Sequence, residues 1–249
     1  MNKPHFKEMS LVDHLDELRS SLIKIVVIIF VGFILSYNYS DRVTDILLVP
    51  LKEAMANNGQ IIFLSVFDKV NVQMQLSFWS SIILTSPLWF WQIWNFIRPG
   101  LFENEIKVIR PFLIVGFFLF CGGVLFSYKI VFPFGIKLLL SFGTQEITAN
   151  ISFAEYIVLT IKVLVAFGVL FQIPNAMVIL GFLEIVTKQS LAKMRRYIYL
   201  GLTVVSGIIT PPDVFSQLIL LVPPVLLYEI GILAVSFIVH PYLHKKYAA

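Results

Sequence analysis

Long apolar runs alternate with shorter polar intervals along almost the whole chain. Six of them predict membrane-spanning helices, at about residues 22–37, 74–96, 111–132, 153–183, 197–209 and 215–239. A transmembrane barrel would instead show alternating segments of roughly ten residues, and the sequence has none. The pattern predicts an all-α integral membrane protein, a single membrane domain over residues 1–249.

The polar intervals carry their own signals. Leu11, Leu15, Leu18 and Leu22 recur at helical spacing, which predicts an amphipathic interfacial helix leading into the first span, with Ser10 and Asp13 as a cap. In the interval 38–73, residues 41–57 predict a short helix interrupted by Pro50. Asn58-Gly59 then predicts a turn, and Ser65 with Asp68 a second cap. Ser152 and Glu155 make a capping box opening the fourth span, and Pro174 predicts a kink in it. Trp89, Trp91 and Trp94 suit a headgroup belt at the end of the second span.

The last two spans are short. Residues 197–209 offer roughly 20 Å of helix against a hydrocarbon core about 30 Å thick. Pro223-Pro224 is expected to cut the sixth. Such a hairpin thins the bilayer around it or is shielded by partner helices.

Composition excludes the soluble class, since 14% of the 249 residues are charged and soluble domains average about a quarter. The single cysteine, Cys121, allows no intramolecular disulfide. Asp13, Asp16 and Glu17 precede the first span and no small-residue cleavage site follows, so that span is expected in the mature protein. Lys and Arg set the orientation. Thirteen, from Lys3 and Arg19 through Arg98 and Arg195 to Lys246, fall on one side of the predicted spans. Five fall on the other, namely Arg42, Lys52, Lys69, Lys129 and Lys137. Both the N-terminus and the C-terminus are therefore expected in the cytoplasm, with 38–73, 134–152 and 210–214 outside.

The charged, turn-bearing stretch WFWQIWNFIRPGLFENEIKVIR at 89–110 offers a soluble partner a place to touch such a protein. Glu105 lies in it and Glu17 in the N-terminal helix, both at the predicted cytoplasmic membrane surface. Two separated carboxylates there can each receive a guanidinium in a bidentate, charge-assisted pair. They equally fit ordinary surface acids balancing Arg19 and Lys107, a kind of pair worth about 0–1 kcal/mol. Phe96 and Arg98 flank the end of the second span, where a ring either packs a ligand's apolar residues or anchors at the headgroups.

Inside the predicted spans the strongly polar residues are Lys162, Gln172 and Glu229, a costly kind that points to function by default. Lys162 shares a helical face with Glu155 and either snorkels to water or pairs. The Gln172 amide can satisfy a carbonyl freed by the Pro174 kink. Glu229 fits a protonated glutamate or a hydrogen bond to a partner, and Asp213 fits a helix cap at the Thr210-Pro211-Pro212-Asp213 tip. These residues motivate an alternative, a small-solute or ion secondary transporter, against which stand their sparseness and the missing internal repeat. Walker, GxGxxG, HExxH and GxSxG signatures are wanting, so no catalytic residue and no cofactor is expected. His240 and His244 straddle Pro241 at a terminus, which argues against a metal site.

HLDELR at 14–19, FIRPGLFENE at 96–105, VLFQIP at 169–174, TPPDVFSQ at 210–217 and YEIG at 228–231 stand in the order and spacing of one family. On these motifs the chain resembles TatC, the six-helix subunit of the twin-arginine protein translocase, over essentially its whole length. The resemblance implies a receptor, not an enzyme, in the bacterial cytoplasmic (inner) membrane. Its ligands would be signal peptides bearing two consecutive arginines, and its task the export of folded proteins driven by the proton-motive force. TatA-like and TatB-like single-span subunits and other TatC copies are the implied partners, with no nucleic acid.

By motif, Glu17 and Glu105 resemble the acids that receive the arginines, with Phe96 and Arg19 on the same recognition surface. A lysine lacks the planar fork that such carboxylates grip. Pro50 matches a proline of the first outer loop and Asp213 the acid of the second hairpin tip, while Gln172 and Glu229 are polar positions tied to partner helices or transport. Two departures stand out. The family usually has an acid in the position of Gln172, and an amide cannot change charge with pH. A second basic residue is common where this chain has Ser21, which implies weaker cytoplasmic electrostatics.

Overall fold

The computed structural model describes residues 11–55, 59–141, 149–209 and 214–242. Ser10, Asn58, Asp213 and His244, and the roles expected of them, lie outside the described residues. Helix α1 (Leu11–Asn38) turns at Tyr39 into α2 (Ser40–Met55), followed by strand β1 (Gly59–Ile62). Helices α3 (Asp68–Leu84) and α4 (Ser86–Ile97) lead through a 3-10 turn, Arg98–Gly100, into α5 (Glu103–Phe126). That helix runs on through a π turn, Ser127–Val131, into α6 (Phe132–Ser141). Strand β2 (Ala149–Ser152) precedes α7 (Phe153–Leu170), α8 (Gln172–Phe182), α9 (Lys188–Ile209) and α10 (Val214–Ala234), which ends in a second π turn, Val235–Val239.

Four stretches of the described residues are long and apolar enough to cross a membrane: Leu15–Asn38, Glu105–Leu138, Phe153–Phe182 and Gln217–Tyr242. The expected spans 74–96 and 197–209 are not among them. The first is divided at Thr85, just before Ser86-Pro87. The second is the apolar end of α9, whose first nine residues hold Lys188, Lys193, Arg195 and Arg196.

The all-α expectation needs one correction. β1 and β2 pair in parallel, Gly59 opposite Ala149 through Ile62 opposite Ser152, and so join the two long polar intervals at one end of the bundle. Each strand has four residues and no alternation worth the name, so only its distant partner makes it a strand.

Prolines interrupt fewer helices than the sequence suggests. The Pro174 kink is present, as a break at Phe171 between α7 and α8. By contrast α2 continues through Pro50 and α10 through Pro223 and Pro224, against the expected interruptions. Pro50 lacks the N–H that would bond the Ile46 carbonyl. The Tyr128 hydroxyl donates to that carbonyl instead, at 2.8 Å, and the Tyr156 hydroxyl donates to the next one, Leu47, at 2.8 Å. A helix tolerates an internal proline in an apolar setting where another element supplies the missing donor. The third span likewise runs past its expected end at 132, where the π turn bonds five residues back, Phe132 N–H to Ser127 O.

The helices approach closely because small residues line their contacts. A Cβ on Gly123 of α5 would stand 2.6 Å from the Phe167 carbonyl oxygen of α7, and one on Gly168 would stand 2.6 Å from the Phe120 ring. Ser77 and Thr160 are fully buried, and their hydroxyls donate to their own helices at Gln73 O and Tyr156 O. Two apolar clusters result. One, around Leu51, Leu76, Ile157 and Phe167, adjoins the strand pair; the other, around Trp94, Ile109, Met177, Tyr228 and Ile232, joins α4, α5, α8 and α10. Trp94 is 5% exposed and so belongs to a core and not to a headgroup belt, whereas Trp91 is exposed.

Candidate functional site

The site is built at the end of the bundle opposite the strands, where α4 turns into α5. Pro99 and Gly100 shape the turn, closed by Leu101 N–H to Arg98 O at 3.2 Å. Phe102 is extended, and its N–H donates to Glu105 Oε2 at 3.0 Å. Glu105 therefore caps its own helix with one carboxylate oxygen, an arrangement favoured by the positive end of the helix dipole. Phe96 is half-buried. The ring presented at this corner is Phe102, 62% exposed. Sequence reasoning passed over it; its signal is an aromatic residue immediately before a helix that opens Glu-Asn-Glu.

Helix α1 delivers the second carboxylate. Gln92 Nε2 of α4 donates to Ser21 Oγ of α1 at 3.1 Å, and both side chains are buried. Gln92 lies five residues before Ile97, the end of α4, and Ser21 one turn after Glu17. The two helices are thus registered so that the start of α1 stands beside the start of α5. Glu17 is half-buried, and its Oε2 is buried with no hydrogen-bond partner among the described residues. Arg19 is exposed. Ser21 was expected to weaken a surface charge; buried against Gln92, it acts instead as a spacer between two helices. Neither Ser21 nor Gln92 carries a sequence signal as a pair, being 71 residues apart.

The remaining candidates lie elsewhere, each with its own surroundings. Gln172 opens α8 and its Nε2 donates to Gly116 O of α5 at 2.9 Å. The carbonyl it satisfies is therefore on a neighbouring helix, not one freed by Pro174, whose missing N–H concerns Leu170. Gln172 Oε1 accepts from Asn175 Nδ2 at 3.4 Å, and the Asn175 Oδ1 is buried without a partner among the described residues.

Glu229 accepts a bidentate pair from Arg195, Nε and Nη2 each at 2.7 Å, and a further hydrogen bond from the Tyr199 hydroxyl. Three donors make it an acceptor-only carboxylate, which overturns the reading of a protonated glutamate. The Tyr228 hydroxyl donates to Leu191 O at 2.8 Å and Gln217 Nε2 to Thr203 O at 3.0 Å, so α9 and α10 are laced along their length. Pro50 is buried within α2.

Lys162 is exposed on α7, Gln172 faces α5 and Glu229 faces α9, so the structure does not gather these three into one polar path. Among the described residues no group of three His, Cys, Asp or Glu side chains is arranged to hold a metal ion.

A sequence model of the family described as "TatC: Sec-independent protein translocase protein (TatC)" matches residues 13–223. The Sec-independent protein translocase protein TatC of Magnetococcus marinus is 37% identical over 232 residues, covering 93% of this chain and 86% of that one. The protein of the same name from Escherichia coli (strain K12) is 31% identical over 229 residues, covering 92% and 89%. A crystal structure described as that of "Twin Arginine Translocase Receptor- TatC" superposes with a TM-score of 0.84 at 32% identity, covering 90% of this chain and 98% of the other.

Proposed function

Because this chain belongs to the TatC family of Sec-independent protein translocase subunits, we propose that it is the signal-peptide receptor and core subunit of a twin-arginine translocase. It sits in the bacterial cytoplasmic membrane as six spans with both termini inside. The parallel pairing of β1 with β2 supports this topology, since it requires the intervals 38–73 and 134–152 to share one side. α3 with α4 then forms the second crossing and α9 the fifth. The subunit binds and assembles, with single-span TatA-like and TatB-like subunits and other copies of itself, and performs no covalent chemistry.

One observation carries the receptor reading. Glu17 holds a buried carboxylate oxygen that no donor among the described residues reaches, at the end of the bundle where Glu105 is also placed. A buried, unpaired acceptor is costly, and a charged one more so. Guanidinium groups of a twin-arginine peptide supply the missing donors in planar pairs, which ammonium groups cannot do. Glu105 keeps one oxygen on Phe102 N–H and offers the other. Phe96, Arg19 and the exposed Phe102 border the same corner and meet the peptide beside its arginines.

Crosslinking tests the reading. A photo-reactive twin-arginine peptide should label the intact chain in membranes, and Glu105→Ala should abolish the label while the variant still inserts. A twin-lysine peptide should label the intact chain weakly. Undiminished labelling of Glu105→Ala and of Glu17→Ala would refute the site.

A further inference from the structure

We propose that the exposed strip of α7 and α8 that carries Lys162 seats a second transmembrane helix, and that a carboxylate within that helix's span pairs with the Lys162 ammonium. The inference rests on the partner reading above and names the chemistry by which this chain holds a single-span subunit.

α7 with α8 is the most enclosed of the candidate spans. Half of the most apolar window of Phe153–Phe182 is buried (50%), against 11% for Leu15–Asn38. What it leaves open is narrow. Glu155, Lys162, Val169 and Ala176 are exposed at intervals of seven, while Ile161, Val163 and Phe167 beside them are buried. Residues seven apart fall on one face and drift only about 20° per interval, the spacing of a seam for one partner helix. α1 presents the opposite case, a broad apolar face on which Val26, Val27, Phe30 and Ile34 are all exposed, as suits contact with lipid. Ala166 and Ala176 keep the strip shallow enough for a second backbone to approach.

Lys162 gives the seam its specificity. It follows Phe153 by nine residues, about 14 Å along the axis at helical rise, in a hydrocarbon core roughly 30 Å thick. No carboxylate among the described residues pairs with it; the ion pair found there joins Arg195 to Glu229. Glu155, on the same strip, stands two turns away. An ammonium facing hydrocarbon is costly, and so is a carboxylate in the span of a solitary helix. Bringing the two together relieves both at once, and an apolar helix laid on the same strip relieves neither. Charge complementarity therefore selects an acid-bearing helix as the occupant.

The test places a photo-reactive amino acid at Val169 and co-expresses the single-span subunits in the same membranes. A single-span subunit with an acid in its span should form the adduct. Lys162→Leu should lower the yield at least tenfold, and Lys162→Arg should retain it. With Lys162→Glu the yield should return when the partner's acid is replaced by lysine. Labelling of lipid alone, a partner without an in-span acid, or a yield unchanged in Lys162→Leu would each overturn the proposal. Twin-arginine peptide crosslinking is read in parallel. Peptide labelling that persists while the Val169 adduct fails refutes the seam alone, whereas loss of peptide labelling from the unsubstituted chain refutes the receptor reading.

Discussion

Glu17 and Glu229 are both half-buried glutamates on helices of this bundle, and the fold leaves them in opposite states. Glu229 meets Arg195 and Tyr199 of α9, and its carboxylate is saturated by three donated bonds. Glu17 has a buried oxygen that no group among the described residues reaches. Glu105 stands between them, with one oxygen spent on a backbone N–H. Identical side chains thus hold a hairpin together in one region and, in another, keep a buried oxygen without a donor among the described residues. The difference comes from the neighbouring helix and not from the residue: α9 delivers a guanidinium and a phenol, whereas α4 delivers to α1 an amide that is already committed to Ser21.

One substitution made at both acids separates the two regions. Glu17→Gln should lower twin-arginine peptide affinity about a hundredfold, corresponding to about 3 kcal/mol for one partner of a desolvated charge pair. Thermal unfolding in detergent should occur no lower than in the unsubstituted chain, because a neutral amide costs less than a carboxylate to bury without a donor. Titration with a labelled peptide measures the first quantity, and equal affinity would move Glu17 into the class of Glu229. Gln92→Leu removes the donor that registers α1 on α4 and should weaken the peptide about tenfold, the effect of about 1.4 kcal/mol. If affinity stays constant, α1 is positioned by its contact at the break between α3 and α4, where a Cβ on Gly32 would run into Thr85.

Tyr128→Phe acts at the far end, leaving the Ile46 carbonyl without its donor. It should cost about 1 kcal/mol of stability and leave peptide binding intact, as a denaturation series run beside the titration would show. Glu229→Gln should have the smallest effect of the four. Its partner Arg195 remains solvated, so α9 should become somewhat more sensitive to protease while peptide affinity stays within about twofold. A large loss of peptide binding in this variant would erase the distinction between the two acids.

Much of the molecule was readable from residue order. Apolar runs located the four stretches long and apolar enough to cross a membrane, Ser152 capped α7 through Glu155 N–H as its spacing promised, and Pro174 marked the break before it. The motifs named the family. Other features misled for one reason. Pro50 was read as an interruption because a proline's missing N–H is a local fact, while the Tyr128 donor that replaces it is not. Gln172 was assigned to a carbonyl of its own kink, and its real partner, Gly116, lies 56 residues away. The strand pair escaped notice because neither half has a pattern without the other.

Transfer into lipid is decided residue by residue, so the positions of the spans and the side on which Lys and Arg collect can be read before the chain folds. Whether a polar group inside the bundle is free or engaged depends on a second group brought beside it by packing. Arg195 comes from 34 residues away to occupy Glu229, Gln92 from 71 to meet Ser21, and Tyr128 from 82 to rescue the helix around Pro50. Short-range pattern carries no trace of such meetings, because each partner is an ordinary residue in its own neighbourhood and acquires its role only at contact.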